Sequence, residues 1–120
     1  MKLLKAFVRA DHIGKVVHAL QHARAPGITV SVVRGVGYDF VPRSTEPRVF
    51  PLLEDELSRC PEIAKVEVVC SQQDADRLVA AIVGAARTGG AGDGIVFVTP
   101  VERAVKVRTG EEGAQAFSTS

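Results

Sequence analysis

The chain has 120 residues, which is enough for one domain, and its 46% hydrophobic and 24% charged residues are typical of a globular domain. Fifteen Lys and Arg against 14 Asp and Glu give a formal net charge of +1, which excludes the basic excess of a non-specific nucleic-acid binder. Two cysteines do not make a disulfide scaffold, no apolar stretch is long enough to cross a bilayer, and the N-terminus lacks signal-peptide features. We therefore expect a small cytoplasmic domain.

The N-terminal third predicts a strand, a helix and a second strand. An apolar run from Leu3 to Arg9 is strand-like. Asp11 is the predicted N-cap of an amphipathic helix that continues to about Arg24, where Pro26-Gly27 ends it. Apolar and polar residues then alternate over residues 28–32, which is typical of a half-buried strand.

The C-terminal half repeats this order of elements. Residues 64–70 alternate as a strand, and apolar residues at helical spacing predict a helix from about Gln73 to Arg87. A glycine-rich segment follows, and then a strand over residues 95–98. Val105 and Val107 predict a final short strand, and residues 111–120 a frayed tail.

The segment between the two halves has no sustained period. Four of the six prolines lie between residues 37 and 61, and ordered loops of this length tend to be functional. One island, Pro51–Arg59, predicts a short helix because Pro51 suits a first helical position. Leu53 and Leu57 lie four apart there and would form a small docking face.

The repeated halves predict an α+β fold of the ferredoxin-like class. Two βαβ crossovers give one antiparallel sheet with both helices on one face. Apolar strand positions supply more surface than two helices can cover, and they include Phe7, Ile28, Val30, Val66 and Val68. The uncovered sheet face therefore predicts a homo-oligomer.

The segment Thr88–Gly94 is the strongest candidate for a binding site. Its four glycines permit positive φ angles and a close approach of backbone N–H groups to an anion. It follows a helix and lacks the Gly-Lys-Ser/Thr ending, so it is neither a Rossmann nor a Walker A motif. Lys106 and Arg108, with Arg103 nearby, would supply cations suited to a polyphosphate. The alternative is a tight turn beside a solvated edge strand.

The other reactive side chains give weaker signals. His18 and His22 lie four apart, but on the polar helix face and without a third ligand. Cys60 and Cys70 have no partner cysteines, and Cys70 alternates with core valines. No arrangement of nucleophile and base follows from the spacing, so no enzyme activity is expected.

Four C-terminal segments together resemble the signature of the PII signal-transduction proteins: Thr88–Gly94, Val96–Val98, Val101–Arg103 and Val107–Glu112. The segments Met1–Arg9, Gly27–Val30 and Val33–Gly37 resemble the family's first two strands. The resemblance implies a domain over residues 1–112, a T-loop at residues 38–62 and a flexible tail at residues 113–120.

The resemblance also implies assembly and function. Members form homotrimers with adenine nucleotides in three intersubunit clefts, and the T-loop contacts enzymes, regulators or membrane transporters. The chain would then be a non-catalytic sensor of ADP, AMP or ATP, alone or with Mg²⁺, without a tightly bound cofactor or a nucleic-acid partner. It would regulate a partner in nitrogen or inorganic-carbon metabolism, the latter including carboxysome operons.

Residues that match the family's motifs receive expected roles. Phe7 would help to line the adenine region, and the expected nucleotide-binding residues are Thr29, Gly35, Gly37, Glu67, Val69, Thr88, Gly89, Gly92, Asp93, Gly94, Arg103, Lys106 and Arg108. Lys106 and Arg108 would reach the phosphates from the neighbouring subunit. The expected effector-loop residues are Tyr38, Asp39, Arg43, Arg48, Leu53 and Leu57. Neither catalytic nor metal-binding residues are expected.

Departures from the family pattern change the expected ligands. Gly90 and Ile95 replace two lysines of the turn, so ADP or AMP should compete well with ATP. Asp39 and Ile63 replace a glutamine and a lysine that hold 2-oxoglutarate, so sensing of that acid in the usual manner is not expected. Tyr38 lies at the base of the loop, where tyrosine uridylylation is not expected.

Three other functions are alternatives for a domain of this fold class. A small phosphate-handling enzyme of the same fold, similar to an acylphosphatase, would need an arginine-bearing phosphate loop that is not found. An RNA-recognition module would need aromatic residues on the strand at residues 65–70. A metal-responsive trimer of this fold, using His18 and His22, stays open.

Overall fold

The computed structural model describes residues 1–40 and 60–117, which form four strands and two α-helices. In chain order these are β1 (Lys2–Arg9), α1 (Ile13–His22), β2 (Thr29–Arg34), β3 (Glu62–Cys70), α2 (Gln72–Ala86) and β4 (Gly94–Pro100). Short 3-10 helices lie at Ala10–His12 and Gly113–Ala116. Within these ranges no helix has the length and apolar character needed to cross a membrane.

The four strands form one antiparallel sheet in the order β2-β3-β1-β4. Leu4 of β1 lies opposite Val68 of β3 and Val98 of β4, and Val30 of β2 lies opposite Val66. The two strands of each βαβ unit are not adjacent: β3 lies between β1 and β2, and β1 lies between β3 and β4. The predicted ferredoxin-like α+β fold is therefore confirmed.

The hydrophobic core lies between the two helices and one face of the sheet. Alternate residues of β1 and β3 point into it, as the period of two requires, while each helix contributes residues three or four apart. Its largest fully buried side chains are Leu4, Val8, Val16, Leu20, Val66, Val68, Cys70, Leu78 and Ile82.

The opposite sheet face is covered by neither helix. Its register places five half-buried apolar side chains together: Leu3, Phe7, Val69, Ile95 and Phe97. Lys65 and Glu67 lie on the same face with Nζ and Oε1 3.5 Å apart. Of the apolar strand positions named from the sequence, Phe7 lies on this uncovered face, whereas Val66 and Val68 belong to the core beneath the helices.

The predicted N-cap of α1 is wrong. Asp11 lies in the 3-10 helix that joins β1 to α1, and His12 occupies the cap position without a side-chain cap bond. The Asp11 carboxylate is instead 3.0 Å from His12 Nδ1 and 3.5 Å from Arg9 Nε. Ser71 does cap α2, accepting a hydrogen bond from the Asp74 N–H at 3.3 Å.

The predicted last strand is also wrong. Residues 101–112 contribute one isolated bridge, between Val105 and Glu112, and no strand of the sheet. Lys106 donates its N–H to the Glu111 carbonyl at 2.8 Å and accepts from the Gly110 N–H at 2.8 Å, so the chain turns back. Alternating valines predicted a strand here, but Val107 is fully exposed and has no sheet to pack on.

Part of the tail predicted at residues 113–120 has local structure. Gly113–Ala116 form a 3-10 helix, and the Gly113 N–H donates to the Ala104 carbonyl at 3.0 Å. Gly113 thus joins this segment to the preceding loop, and the described part of the chain ends at residue 117.

Candidate functional site

The glycine-rich turn at residues 88–94 is closed by its own aspartate. The Asp93 carboxylate accepts hydrogen bonds from the Thr88 N–H at 2.7 Å, the Gly89 N–H at 2.8 Å and the Thr88 hydroxyl. The Gly90 N–H donates to Thr88 Oγ1 at 3.2 Å. These bonds to the charged form, first of all those from Thr88, lower the pKa of Asp93 from 3.8 to about 2.

Glycine is required at the end of this turn, where β4 begins. Gly94 has φ +113°, and a Cβ built on it would lie 1.8 Å from the Phe7 carbonyl oxygen. No side chain fits at that distance, so the turn approaches β1 only because residue 94 is glycine. Gly89 and Gly92 also have positive φ angles, +90° and +92°.

The turn's hydrogen bonds leave one part of its backbone open. The N–H groups of Thr88, Gly89 and Gly90 are used inside the turn, whereas those of Ala91, Gly92 and Asp93 make no hydrogen bond within the described residues. Adjacent unpaired N–H groups of this kind bind anions. Residues 91–93 are therefore the part of the turn whose N–H groups are open to a ligand, while the Asp93 carboxylate stabilises the turn.

Arg9 lies beside this open part of the turn. Its Nη1 is 3.5 Å from the Ala91 carbonyl oxygen, and a Cβ on Gly92 would lie 3.6 Å from the same nitrogen. Sequence reasoning missed Arg9, because its position at the end of β1 is distant from the turn along the chain. Only the antiparallel pairing of β1 with β4 brings the two together.

The predicted adenine-region residues form a second cluster. Thr29 lies directly opposite Glu67 in the β2–β3 register. Both line a cavity of about 470 Å³ together with Val69, and the rest of its wall is formed by Leu3, Pro26, Gly27 and Phe117. The structure thus brings Thr29, Glu67 and Val69 together as the motif positions imply, and it adds Phe117, which the sequence assigned to the tail.

The two clusters lie at separate places on the sheet. Leu3, in the wall of the Thr29 cavity, and Phe7, beside the turn, are four residues apart on β1, which is about 13 Å along a strand. Phe7 packs edge-on against Phe97, with ring centroids 6.3 Å apart, and does not line the Thr29 cavity. Within one chain, the Thr29 cavity therefore lies on the uncovered sheet face and the glycine-rich turn lies at the edge of that face.

The predicted cations lie on the loop at residues 101–112. Arg103 Nε is hydrogen-bonded to Glu112 Oε1, so this guanidinium is already paired. Lys106 is half-buried, Arg108 is exposed, and neither makes an ion pair within the described residues. Of the three predicted cations, Lys106 and Arg108 are therefore the two that are available to a ligand.

The base of the predicted effector loop is held by several contacts. Arg34 donates to the Cys60 carbonyl at 2.9 Å and to Glu62 Oε1 at 3.1 Å. Phe40 is buried, and together with Ile63 it fills the space beside Gly35, where an added Cβ would lie 2.8–2.9 Å from both side chains. Gly35 is thus a packing residue in this structure.

Three more of the predicted residues lie at this base. Gly37, Tyr38 and Asp39 all have positive φ angles, of +83°, +50° and +70°. Tyr38 is exposed and packs edge-on against Phe97, with centroids 5.7 Å apart. The remaining effector residues, Arg43, Arg48, Leu53 and Leu57, and the predicted helix at residues 51–59 lie outside the described residues.

His18 and His22 on α1 lie next to each other without a third metal-binding side chain among the described residues. The rings of His18 and His22 stack with centroids 6.2 Å apart, and both residues are exposed. Residues 1–40 and 60–117 contain no group of three or more His, Cys, Asp or Glu side chains placed to hold a metal ion.

Comparison with known proteins agrees with this architecture. A family model described as nitrogen regulatory protein P-II matches residues 1–111. The chain belongs to the P-II family. It is 36% identical over 117 residues to nitrogen regulatory protein P-II 2 of Methanothermobacter thermautotrophicus, covering 97% of this chain and 96% of that protein. It is 35% identical to the P-II protein of Azospirillum brasilense and 37% to that of Microchaete diplosiphon, each over at least 97% of both chains.

Family membership fixes the general role of the chain. P-II proteins are signalling regulators that act on partner proteins, and this chain is a P-II signalling protein. The resemblance read from the motifs is thereby confirmed, over nearly the whole chain.

Proposed function

We propose that this P-II protein is a homotrimer that binds ADP, AMP or ATP in clefts between its subunits. Nucleotide binding would change how residues 38–62 contact a regulated enzyme or membrane transporter of nitrogen or inorganic-carbon metabolism. No catalytic step is proposed.

The turn at residues 88–94 carries the proposal. It offers unpaired N–H groups at residues 91–93, and the Asp93 carboxylate fixes their arrangement through bonds to Thr88 and Gly89. Fixed N–H groups are suited to phosphate because they lose little conformational freedom on binding.

The location of the two clusters supports a cleft between subunits. The turn and the Thr29 cavity both lie on or beside the sheet face that neither helix covers. A neighbouring copy packed on the uncovered sheet face would bring its own residues to the turn. Lys106 and Arg108, unpaired on an exposed loop, are suited to reach across such a contact.

Calorimetry with ATP, ADP and AMP, each with and without Mg²⁺, tests this proposal. We expect binding of all three, with ATP less than ~100-fold tighter than ADP because the turn itself contains no lysine. Lys106→Ala and Arg108→Ala should each weaken binding by about tenfold or more, since a charge-assisted hydrogen bond is worth about 1.5–3 kcal/mol. Lys15→Ala, an exposed cation on α1, is the matched control and should change nothing. Absence of nucleotide binding would refute the proposal.

Hydrogen exchange tests the role of the effector loop. We expect the exchange rates of amides between residues 38 and 60 to change when nucleotide is added, while those of β1 and β3 stay constant. High protection in that segment that does not depend on nucleotide would show that the loop is structural and is not an effector arm.

A further inference from the structure

We propose that His18 and His22 on α1 form a surface site for a divalent transition-metal ion that prefers imidazole ligands, such as Cu²⁺, Ni²⁺ or Zn²⁺. The described residues place no third His, Cys, Asp or Glu side chain beside them. Two imidazole nitrogens therefore hold the ion, and water fills the remaining coordination positions. This inference goes beyond nucleotide binding and does not depend on it.

The two side chains project from the helix at the spacing that a chelate requires. Residues four apart are neighbours on a helix surface, and the rings of His18 and His22 stack with centroids 6.2 Å apart and 23° between their planes. A bound ion lies about 2.0–2.1 Å from each imidazole nitrogen, so one nitrogen of each ring must point to a common position. Both residues are exposed and outside the core, so the rings can turn toward that position without disturbing the packing.

The helix that carries the pair is fixed at the end where the pair lies. Val16 and Leu20 bury the opposite face of α1 in the core. Directly after His22, the Ala23 carbonyl accepts hydrogen bonds from Arg77 Nε at 3.3 Å and Arg77 Nη2 at 3.1 Å. The last turn of the helix is therefore already ordered, and metal binding loses little conformational entropy there.

The charges around the pair permit a bound cation. Lys15, one turn before His18, and Arg24, two residues after His22, are exposed, so solvent screens their charges. His22 is the last residue of α1, where the carbonyl end of the helix dipole favours a positive ion. The helix end thus opposes the repulsion from the two side-chain cations.

The donor set determines the class of ion. Imidazole nitrogen suits Cu²⁺, Ni²⁺ and Zn²⁺, whereas Mg²⁺ and Ca²⁺ take oxygen ligands. Affinities for a given nitrogen site rise along the first-row divalent ions to Cu²⁺ and fall again at Zn²⁺. We therefore expect Cu²⁺ to bind most tightly, Ni²⁺ and Zn²⁺ to bind less tightly, and Mg²⁺ not to bind at this pair.

The metal site is separate from the surfaces proposed for nucleotide. α1 packs against the sheet face opposite to the uncovered one, and neither histidine lines the Thr29 cavity. Metal binding at the pair therefore needs neither a nucleotide nor a second copy of the chain.

Calorimetry of the untagged full chain with Ni²⁺ at about pH 7.5, where neutral imidazole predominates, tests the site. We expect one ion per chain, with His18→Ala and His22→Ala each weakening Ni²⁺ binding by about tenfold or more. The double variant should bind little more weakly than either single variant, because the chelate is lost with its first ligand. His12→Ala is the matched control and should change nothing, since the third histidine of the chain is bonded to Asp11 Oδ1 at 3.0 Å, away from the pair.

Urea unfolding distinguishes this site from adventitious binding. The two rings meet only on the folded helix, so Ni²⁺ should raise the urea midpoint of the unmodified chain and not that of either single variant. Without metal, the midpoints should agree, because both histidines are exposed.

Three results would overturn the inference. Equal Ni²⁺ affinities for the unmodified chain and both single variants would show adventitious binding only, as would a Ni²⁺-induced stabilisation that persists in those variants. Tighter binding of Mg²⁺ than of Ni²⁺ would contradict the imidazole donors. None of these results bears on the proposed function, which is tested separately by binding of ATP, ADP and AMP.

Discussion

Asp93 accepts hydrogen bonds from both the backbone N–H and the hydroxyl of Thr88, five residues earlier in the chain. These bonds close the glycine-rich turn. The N–H groups of residues 88–90 donate hydrogen bonds to Asp93 or Thr88. The N–H groups of residues 91–93, in contrast, make no hydrogen bond within the described residues. The carboxylate therefore stabilises the backbone conformation of the candidate phosphate site through its bonds to Thr88 and Gly89.

The stabilising effect of Asp93 should depend on pH in a defined window. Its pKa is lowered from 3.8 to about 2 in the folded protein, so its ionised form stabilises the fold above pH 3.8. That stabilisation is lost as the pH falls toward 2, where the folded protein also takes up the proton. The difference in free energy of unfolding between the unmodified chain and Asp93→Asn should therefore narrow across this window.

Urea unfolding of both proteins between pH 1.5 and pH 6 measures this difference. Asp76→Asn is the matched control, because Asp76 is an exposed residue of α2 outside the turn. If the difference in free energy of unfolding between Asp93→Asn and the unmodified chain is the same at every pH, the ionised Asp93 carboxylate does not stabilise the fold.

Two glycine-to-alanine substitutions should have opposite effects on stability. Gly94→Ala places a Cβ 1.8 Å from the Phe7 carbonyl oxygen at a positive φ angle, so it should destabilise by about 2–4 kcal/mol. Gly84→Ala lies within α2 with nothing within 4 Å of the new Cβ, so it should stabilise by about 0.5–1 kcal/mol. Denaturant unfolding measures both, and similar values for the two variants would contradict the close approach of Gly94 to β1.

Much of the fold was predictable because the spacing of apolar residues along the chain indicates which side chains are buried. The alternation of Val66, Val68 and Cys70 and the helical spacing of Leu78 and Ile82 gave the correct elements and the correct core. The last predicted strand failed because alternation at Val105 and Val107 indicates a strand only where a sheet edge is available. In this structure the chain turns back on itself there.

The site was predictable only where chain neighbours form it. The glycines of the turn and the cations at Lys106 and Arg108 could be read locally. The proximity of Arg9 to the turn could not be predicted, because it depends on the pairing of β1 with β4. Arg9 and its hydrogen-bond partner Ala91 are 82 residues apart in the chain. The role of the Asp93 carboxylate was missed for a different reason, since spacing alone does not show which N–H groups it accepts from.

Assembly should depend on the uncovered sheet face. Phe97 lies on this face in the edge strand β4, with Phe7 and Tyr38 packed edge-on against it. If copies pack through this face, Phe97→Asp places a charge in the contact and should convert the expected trimer to monomer at micromolar concentration. Val32→Asp is the matched control, because Val32 is 65% exposed and points to the opposite side of the sheet. Light scattering that returns a monomer for the unmodified chain would contradict the expected assembly.

The last prediction concerns the hydrogen bonds that join the two ends of the effector loop. Arg34 in β2 bonds to the Cys60 carbonyl and to Glu62 Oε1, and Gly35 donates its N–H to the Pro61 carbonyl at 3.2 Å. Arg34→Ala removes the side-chain bonds but leaves the buried core untouched. We expect faster amide exchange at residues 35–40 and 60–63, with global stability lowered by no more than about 1 kcal/mol because the pair is partly exposed to solvent.

Arg77→Ala is the matched control for this prediction. Arg77 also donates two hydrogen bonds to a carbonyl, that of Ala23 at the end of α1, and it pairs with Asp74 at 2.9 Å. Its loss should speed exchange at the end of α1 and leave the loop base unchanged, because none of these partners lies near residues 35–40. If Arg34→Ala instead lowers protection throughout β2 and β3, then Arg34 stabilises the sheet as a whole. The loop base would in that case have no local opening of its own through which nucleotide state could act.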